Sequence, residues 1–205
     1  VLVLSIIRPQ AVRDGNVARV GASIALFLLV VGLVPTNGAI GVASGLFAGE
    51  KEQGNLLPLL ATPASNRAIF AGKVLGAVLP ALLFAAVAEA NYLIEIWLLL
   101  GTSTVRLLPF AFSVAMVAMV PANAVFGAAL ASLVSSRVRT YQSAQMLTSL
   151  ASFPVMGTLF GLASQMQRWG AGALLIGVAA IVVLDVLLVV LGAATWRREE
   201  ILARR

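Results

Sequence analysis

The chain has 205 residues, of which 60% are hydrophobic and only 11% are charged. A soluble fold of this size cannot bury so much apolar surface, so the composition excludes an ordinary soluble domain and a disordered chain and indicates an integral membrane protein. The chain contains no His and no Cys, which excludes zinc fingers, disulfide frameworks and His- or Cys-based catalysis. Its net charge of +6 comes from basic residues scattered between apolar segments rather than from a basic patch that would bind nucleic acid.

Residues 1–19 are predicted to be an external segment, in which Val1–Ile7 is a candidate strand. Five apolar runs follow, and each is long enough to cross a bilayer once as a helix of about 20 residues. The runs lack the two-residue alternation of barrel strands. The sequence therefore predicts an all-α bundle of five transmembrane helices in one transmembrane domain over 20–197, followed by a cytoplasmic tail over 198–205. The helices are predicted at about 20–48, 68–98, 107–134, 143–164 and 171–195.

Basic residues set the orientation, because cytoplasmic loops are enriched in Lys and Arg. Nine basic residues lie on one predicted side and five on the other, so the side with nine is placed in the cytoplasm, together with the C-terminus. An odd number of helices after an external start indicates a sixth, N-terminal helix upstream of this sequence. The nine are Lys51, Arg67, Lys73, Arg137, Arg139, Arg197, Arg198, Arg204 and Arg205, and the five are Arg8, Arg13, Arg19, Arg106 and Arg168.

Small residues recur at four-residue spacing along the predicted helices, as in Gly41, Gly45 and Gly49. This spacing places them on one helix face, where backbones can approach closely. The face serves either packing within the bundle, which we favour, or a dimer interface. Three prolines are predicted to bend or open the helices that contain them, namely Pro35, Pro80 and Pro121.

The loop after the first helix is the most informative segment. Glu50–Gln53 mark the exit from the membrane, and Gly54 can adopt the left-handed conformation that ends a helix. Asn55 can cap a short leucine-rich helix over about 55–62, which Thr62-Pro63 ends, and Ser65 can cap the next membrane helix. The exposed leucines either lie in the lipid interface or dock into a groove on a soluble protein, and physical arguments leave both open.

The pattern begins with Glu50-Lys51-Glu52-Gln53-Gly54 and continues with Leu56, Leu59-Leu60-Ala61-Thr62-Pro63, Arg67 and Gly72-Lys73. It resembles the first cytoplasmic loop of type-2 ABC exporter permeases, including sodium-extruding and multidrug-type bacterial members. Ser135–Gln145 also resembles the loop before the penultimate helix of that family. The chain departs from the family pattern at Asn55 and Leu57, where Thr and Glu are common.

The resemblance implies that the short helix is a coupling helix seated on a separate ABC ATP-binding subunit, in an assembly of two such subunits and two permease subunits, identical or homologous, in a bacterial or archaeal plasma membrane. ATP and Mg²⁺ would bind the partner, since Gly72-Lys73 lacks the rest of a Walker A motif. The chain itself would be a non-enzymatic efflux subunit without a cofactor or metal. Glu50, Glu52 and Arg67 would form ion pairs with the partner or, alternatively, orient the loop within this chain. The residues expected at the ATPase interface are Glu50, Glu52, Gly54, Leu56, Leu57, Leu59, Leu60, Pro63 and Arg67.

Glu89, Asn123 and Asp185 lie in apolar surroundings and are candidates for a substrate path, because an acid inside a bilayer is costly and usually functional. The alternative is that the acids are protonated or hydrogen-bonded to neighbouring helices. Glu89 shares a helix face with Ala81 and Ala85 and is predicted to face another helix. These acids also support a competing function, an ion-coupled secondary transporter or channel subunit, and a non-transporting scaffold is the third alternative. Trp97, Trp169 and Trp196 are predicted anchors at the membrane interface.

Overall fold

A computed structural model describes residues 17–54, 62–102, 110–138, 140–164 and 166–195, and the regular structure in these ranges is helical. In chain order, the elements are α1 (Val17–Thr36), α2 (Gly38–Ser44), a π-helical turn (Gly45–Gly49), α3 (Glu50–Glu52), α4 (Asn66–Leu100), α5 (Phe110–Ser135), α6 (Tyr141–Ser164) and α7 (Met166–Thr195). The elements from α1 to α3 follow one another without a loop and are called the first rod. The described part of the chain therefore forms five helical rods, which confirms the predicted all-α class.

Successive rods run in opposite directions. Tyr92 near the end of α4 donates a hydrogen bond of 3.0 Å to the carbonyl of Ile24 near the start of the first rod. At the opposite end, Phe47 of the first rod and Phe70 of α4 lie with ring centroids 5.5 Å apart. The loop end, defined as the end of the bundle at which the 53–65 connection leaves the first rod and enters α4, therefore also holds the start of α6 and the ends of α5 and α7.

Helix α5 occupies the centre of the bundle and contacts the first rod, α4, α6 and α7. Its small residues allow this, because Ala124, Ala128 and Ala131 pack against apolar side chains of the first rod and α4. Its larger residues Met119 and Phe126 fill a second cluster between α1 and α7. The outer faces of α4 and α7 instead expose large apolar side chains such as Phe84 and Ile176, as expected for surfaces that face lipid.

Among the described residues, four helical segments are long and apolar enough to cross a membrane, and they are Ser23–Glu52, Asn66–Leu100, Ser113–Ser135 and Leu175–Ala194. The protein is therefore a multi-pass membrane protein. The sequence predicts five crossings. The remaining helix, α6, is not among these four, which were sought only in the described part of the chain, and the polar residues of its first half, such as Gln142 and Gln145, lower the hydropathy there. The fifth crossing stays a prediction.

The helix bounds differ from the predicted ones at several places. The first rod is interrupted beside Pro35, where Asn37 leaves the α-helical pattern, so the predicted opening at this proline is confirmed. In contrast, α4 and α5 continue through Pro80 and Pro121 without interruption. Helix α7 begins at Met166, five residues earlier than predicted, because the polar residues before Trp169 continue the helix.

Several predictions fall on residues outside the described ranges. They concern the external segment before residue 17, most of the predicted 55–62 helix, Arg139, Trp196 and the 198–205 tail. Of the predicted coupling helix, Thr62 is described, and it lies in a bend.

Candidate functional site at the loop end of the bundle

The first rod widens into a π-helical turn just before it leaves the bundle. The amide of Glu50 donates to the carbonyl of Gly45, five residues earlier, rather than to that of Leu46. The carbonyl of Leu46 thereby loses its α-helical donor and can accept from a side chain. Single π-helical turns of this kind are frequent at functional sites.

Lys73 of α4 fills this position. Its Nζ donates to the carbonyl of Leu46 and to Oε2 of Glu50, the latter at 2.6 Å, and it lies 5.5 Å from the centroid of the Phe47 ring. The Lys73 side chain is 6% exposed and that of Glu50 is 27% exposed. An ammonium group with so little access to water requires a paired charge and hydrogen-bond acceptors, and this arrangement supplies both. The pair joins the end of the first rod to α4.

Glu52, two residues after Glu50, contacts a different helix. Its Oε2 accepts a hydrogen bond of 2.8 Å from the amide of Tyr141, the first residue of α6. The first amides of a helix have no partner within the helix, and the helix dipole favours a negative charge there. Thr140 satisfies a second of these amides, because its Oγ1 accepts from the amide of Ser143 at 3.2 Å. The Glu52 carboxylate therefore acts as a cap supplied from the first rod.

Two local predictions for the 53–65 connection are confirmed. Gly54 has a φ of 73°, the left-handed conformation expected where the first rod ends. Ser65 caps α4, since its Oγ accepts from the amide of Ala68 at 3.2 Å. Pro63 and Arg67 are exposed, whereas the predicted docking leucines Leu56, Leu57, Leu59 and Leu60 lie outside the described residues. Both ends of the connection are thus fixed to the bundle.

An open groove of about 610 Å³ lies between the first rod and the start of α6. The Gly41, Gly45 and Gly49 stripe forms one wall, and Tyr141 stands opposite with Glu50 and Glu52 at the edge. A Cβ atom built on Gly45 would lie 3.8 Å from Cε2 of Tyr141. This stripe therefore faces another helix of the same chain, as the packing interpretation predicts.

The three predicted substrate-path residues lie on three different helices, namely α4, α5 and α7. Glu89 faces another helix as expected, because its Oε1 would lie 2.3 Å from a Cβ built on Gly32 of α1. Asn123 is buried and donates a hydrogen bond of 2.5 Å to Oγ1 of Thr36. Asp185 is 6% exposed in α7. Within the described ranges, Oε1 of Glu89 and Oδ1 of Asp185 are buried and have no hydrogen-bond partner.

A cavity of about 420 Å³ lies where the first rod is interrupted. Asn37 forms one wall, and α6 contributes Ser149, Ser152, Phe153, Met156 and Gly157. At Asn37 the backbone keeps helical φ and ψ angles of −61° and −22°, but the hydrogen bonds of Asn37 and Ile40 shift to acceptors three residues earlier, so the change in the helix and the cavity coincide. Two polar residues of α6, Ser149 and Ser152, therefore lie at this cavity.

Two site residues were not singled out by sequence reasoning. The sequence pattern places Lys73 on the cytoplasmic side with Lys51 and Arg67, whereas the structure buries it as the eighth residue of α4. The signal was present, since a single lysine within an apolar helix needs a partner, and Glu50 was the nearest conspicuous acid. Tyr141 contributes a backbone amide to the site, which no side-chain pattern marks.

Comparison with known proteins gives one result. The model of the family described as "ABC-2 family transporter protein" matches residues 4–171, which includes the first rod, α4, α5, α6 and the start of α7. No match to a curated protein was found. No solved structure matches either.

Proposed function

We propose that this chain, which belongs to the ABC-2 transporter protein family, is the permease subunit of an ATP-driven exporter and is moved through its 53–65 connection. A separate ATP-binding subunit would bind this connection, hydrolyse ATP with Mg²⁺ and drive efflux, and a second permease subunit, identical or homologous, would complete the assembly. The loop end would face the cytoplasm. The observation that carries the proposal is the geometry at the two ends of the connection, where Gly54 ends the first rod and Ser65 caps α4, and where the preceding acids contact α4 and α6.

The docking surface in this proposal is mainly apolar. Leu56, Leu57, Leu59 and Leu60 would enter a groove on the partner, with Pro63 shaping the exit from the short helix. Arg67 is exposed at the second position of α4 and is free to lie at the rim. Glu50 and Glu52 contact Lys73 and Tyr141 of their own chain. This supports the alternative in which the two acids orient the connection rather than pair with the partner.

The cavity beside Asn37 is the best candidate for the substrate path. Its volume falls within the range of small-molecule sites, and it combines apolar walls with a few polar groups. Its two walls belong to the first rod and α6. The first rod continues into the 53–65 connection, and α6 is bonded to Glu52, the residue just before it. Asn123 would act beside this path through Thr36 rather than as a direct ligand.

The test is reconstitution in vesicles with the genomically neighbouring ATP-binding protein. The double substitution Leu59→Glu with Leu60→Glu should abolish co-purification of the ATPase and ATP-dependent movement of a panel of lipophilic dyes and radioactive sodium. The control is Ser136→Glu with Gln142→Glu, which adds the same two charges to exposed positions at the loop end. Retention of assembly and transport by the leucine variant would overturn the proposal.

A second candidate function, an ion-coupled transporter or channel subunit, is supported by the buried oxygens of Glu89 and Asp185. In this case the chain alone would move ions down a gradient without ATP. Glu89→Gln and Asp185→Asn should each abolish that flux, since a neutral amide cannot exchange a proton or bind a cation as a carboxylate does. Absence of gradient-driven flux in the unmodified chain would remove this candidate.

A further inference from the structure

The two acids of α3 connect the 53–65 connection to different helices. The 53–65 connection is covalently joined to the end of the first rod and to the start of α4. The Glu50–Lys73 ion pair adds a contact between the first rod and α4 at this point. Helix α6 is distant in sequence from the connection, and Glu52 reaches it across 89 positions of chain. The Glu52–Tyr141 contact is therefore a direct polar route from the connection to α6.

The surroundings of this contact leave α6 free to move against the first rod. The glycine stripe presents no side chains to Tyr141, and Cβ atoms built on Gly45 and Gly49 would stand 3.8 and 3.9 Å from it. Further along α6, a Cβ built on Gly41 would lie 3.5 Å from Nε2 of Gln145. The groove between these surfaces is open. A smooth surface beside an open groove resists sliding less than interdigitated side chains do.

Helix α6 also carries one wall of the cavity beside Asn37. Ser149, Ser152 and Met156 lie about two to four turns beyond Tyr141 on the same helix, opposite Asn37 of the first rod. A displacement of the α6 start relative to the first rod therefore changes the separation of the cavity walls.

We propose that Glu52 is a positioning residue that transmits movement of the 53–65 connection to α6 and thereby to the cavity beside Asn37. The identity of the partner that moves the connection rests on the proposed function, but the contact itself does not. Lys51 lies between the two acids, and its side chain pairs with no charged group among the described residues, so it provides a matched control.

The chain has no native cysteine, so two introduced cysteines can be spin-labelled without background. We would place them at Leu150 of α6 and Leu79 of α4, which are 66% and 60% exposed. The full chain in phosphatidylethanolamine–phosphatidylglycerol nanodiscs would be compared with its Glu52→Ala, Glu52→Gln and Lys51→Ala variants. Glu52→Ala should broaden the distribution of distances between the labels, and Lys51→Ala should leave it unchanged. Glu52→Gln should be intermediate, because its amide oxygen can still accept from Tyr141.

Hydrogen exchange gives a second measurement on the same samples. Loss of a helix cap should accelerate exchange of the first-turn amides of α6 by about fivefold in Glu52→Ala, with no change at the start of α4. With the ATPase bound, ATP should shift the distance between the labels in the parent and in Lys51→Ala, and not in Glu52→Ala.

Each outcome decides the inference. An unchanged distance distribution and unchanged exchange in Glu52→Ala would overturn it, and so would an ATP-driven shift that survives this substitution. If ATP moves the labels in none of the variants while Glu52→Ala still broadens the distribution, the contact is supported and the proposed function fails.

Discussion

Replacing Lys73 by Met tests whether the loop end is held together by the buried ammonium group. Met has a similar length and is apolar, so the packing of the side chain stem against Phe47 is largely kept. The substitution removes the donor to Glu50 and to the carbonyl of Leu46. It leaves a half-buried carboxylate without its ion pair and a carbonyl of the π-helical turn without its side-chain donor.

The expected cost follows from burial. Removing one member of a buried ion pair generally costs about 3–5 kcal/mol, because the remaining charge is left without compensation. The side chain of Glu50 keeps 27% of its exposure, so water recovers part of its solvation, and we expect a loss of about 2–3 kcal/mol. For a chain of this length, that loss lowers the melting temperature by about 4–12 °C.

The assay is thermal unfolding of the purified protein in one detergent, followed by circular dichroism. Lys51→Met is the matched control, because Lys51 belongs to the same segment and is only partly buried. The double substitution Glu50→Gln with Lys73→Met should cost less than the sum of the single ones, with a coupling of about 1–3 kcal/mol. If Lys73→Met melts together with Lys51→Met, or if the two single effects add, the pair does not stabilise the loop end and the reasoning is wrong.

Two further predictions concern the packing of the bundle. Gly127→Ala and Gly192→Ala should each lower stability by about 1–3 kcal/mol, because the new Cβ would lie 2.8 Å from Ile40 and from Phe70, respectively. Gly157→Ala is the control, since a Cβ there would have nothing within 4 Å, and it should be neutral or raise stability by up to about 1 kcal/mol. Equal melting shifts in the three variants would contradict the helix contacts. Asn123→Leu should lower stability by only about 1 kcal/mol, since Thr36 keeps its own bond to the carbonyl of Leu33, yet it should reduce ATP-dependent dye transport more than Gly127→Ala does at matched stability. Transport losses that simply follow stability would refute a role beside the cavity.

The helical class and most rods can be predicted from the sequence, because a bilayer requires long apolar helices and charges mark their ends. Local features can be predicted equally well, since the conformation of Gly54 and the cap at Ser65 depend on residues within one turn. In contrast, the number of prolines does not distinguish the interrupted helix beside Pro35 from the continuous helices around Pro80 and Pro121, since contacts with neighbouring helices decide whether the hydrogen-bond pattern is broken.

The site is harder to predict from the sequence, because its contacts join residues that lie far apart in the chain. Glu50 and Lys73 are 23 positions apart, and their pairing depends on the register between two antiparallel helices. The Glu52–Tyr141 contact uses a backbone amide, for which the side-chain sequence carries no signal.

These two contacts change what the partner surface must look like. A partner that paired with Glu50 and Glu52 would need basic side chains, and it would first have to break an ion pair with a buried lysine and a helix cap. With both acids engaged inside the chain, the proposed contacts with a partner fall to the leucines of the 53–65 sequence and to Arg67, which is exposed in α4. We therefore expect the complementary groove on an ATP-binding subunit to be apolar with an acidic residue at its rim. A reversed charge at that acid should be rescued by Arg67→Glu and not by Glu52→Lys.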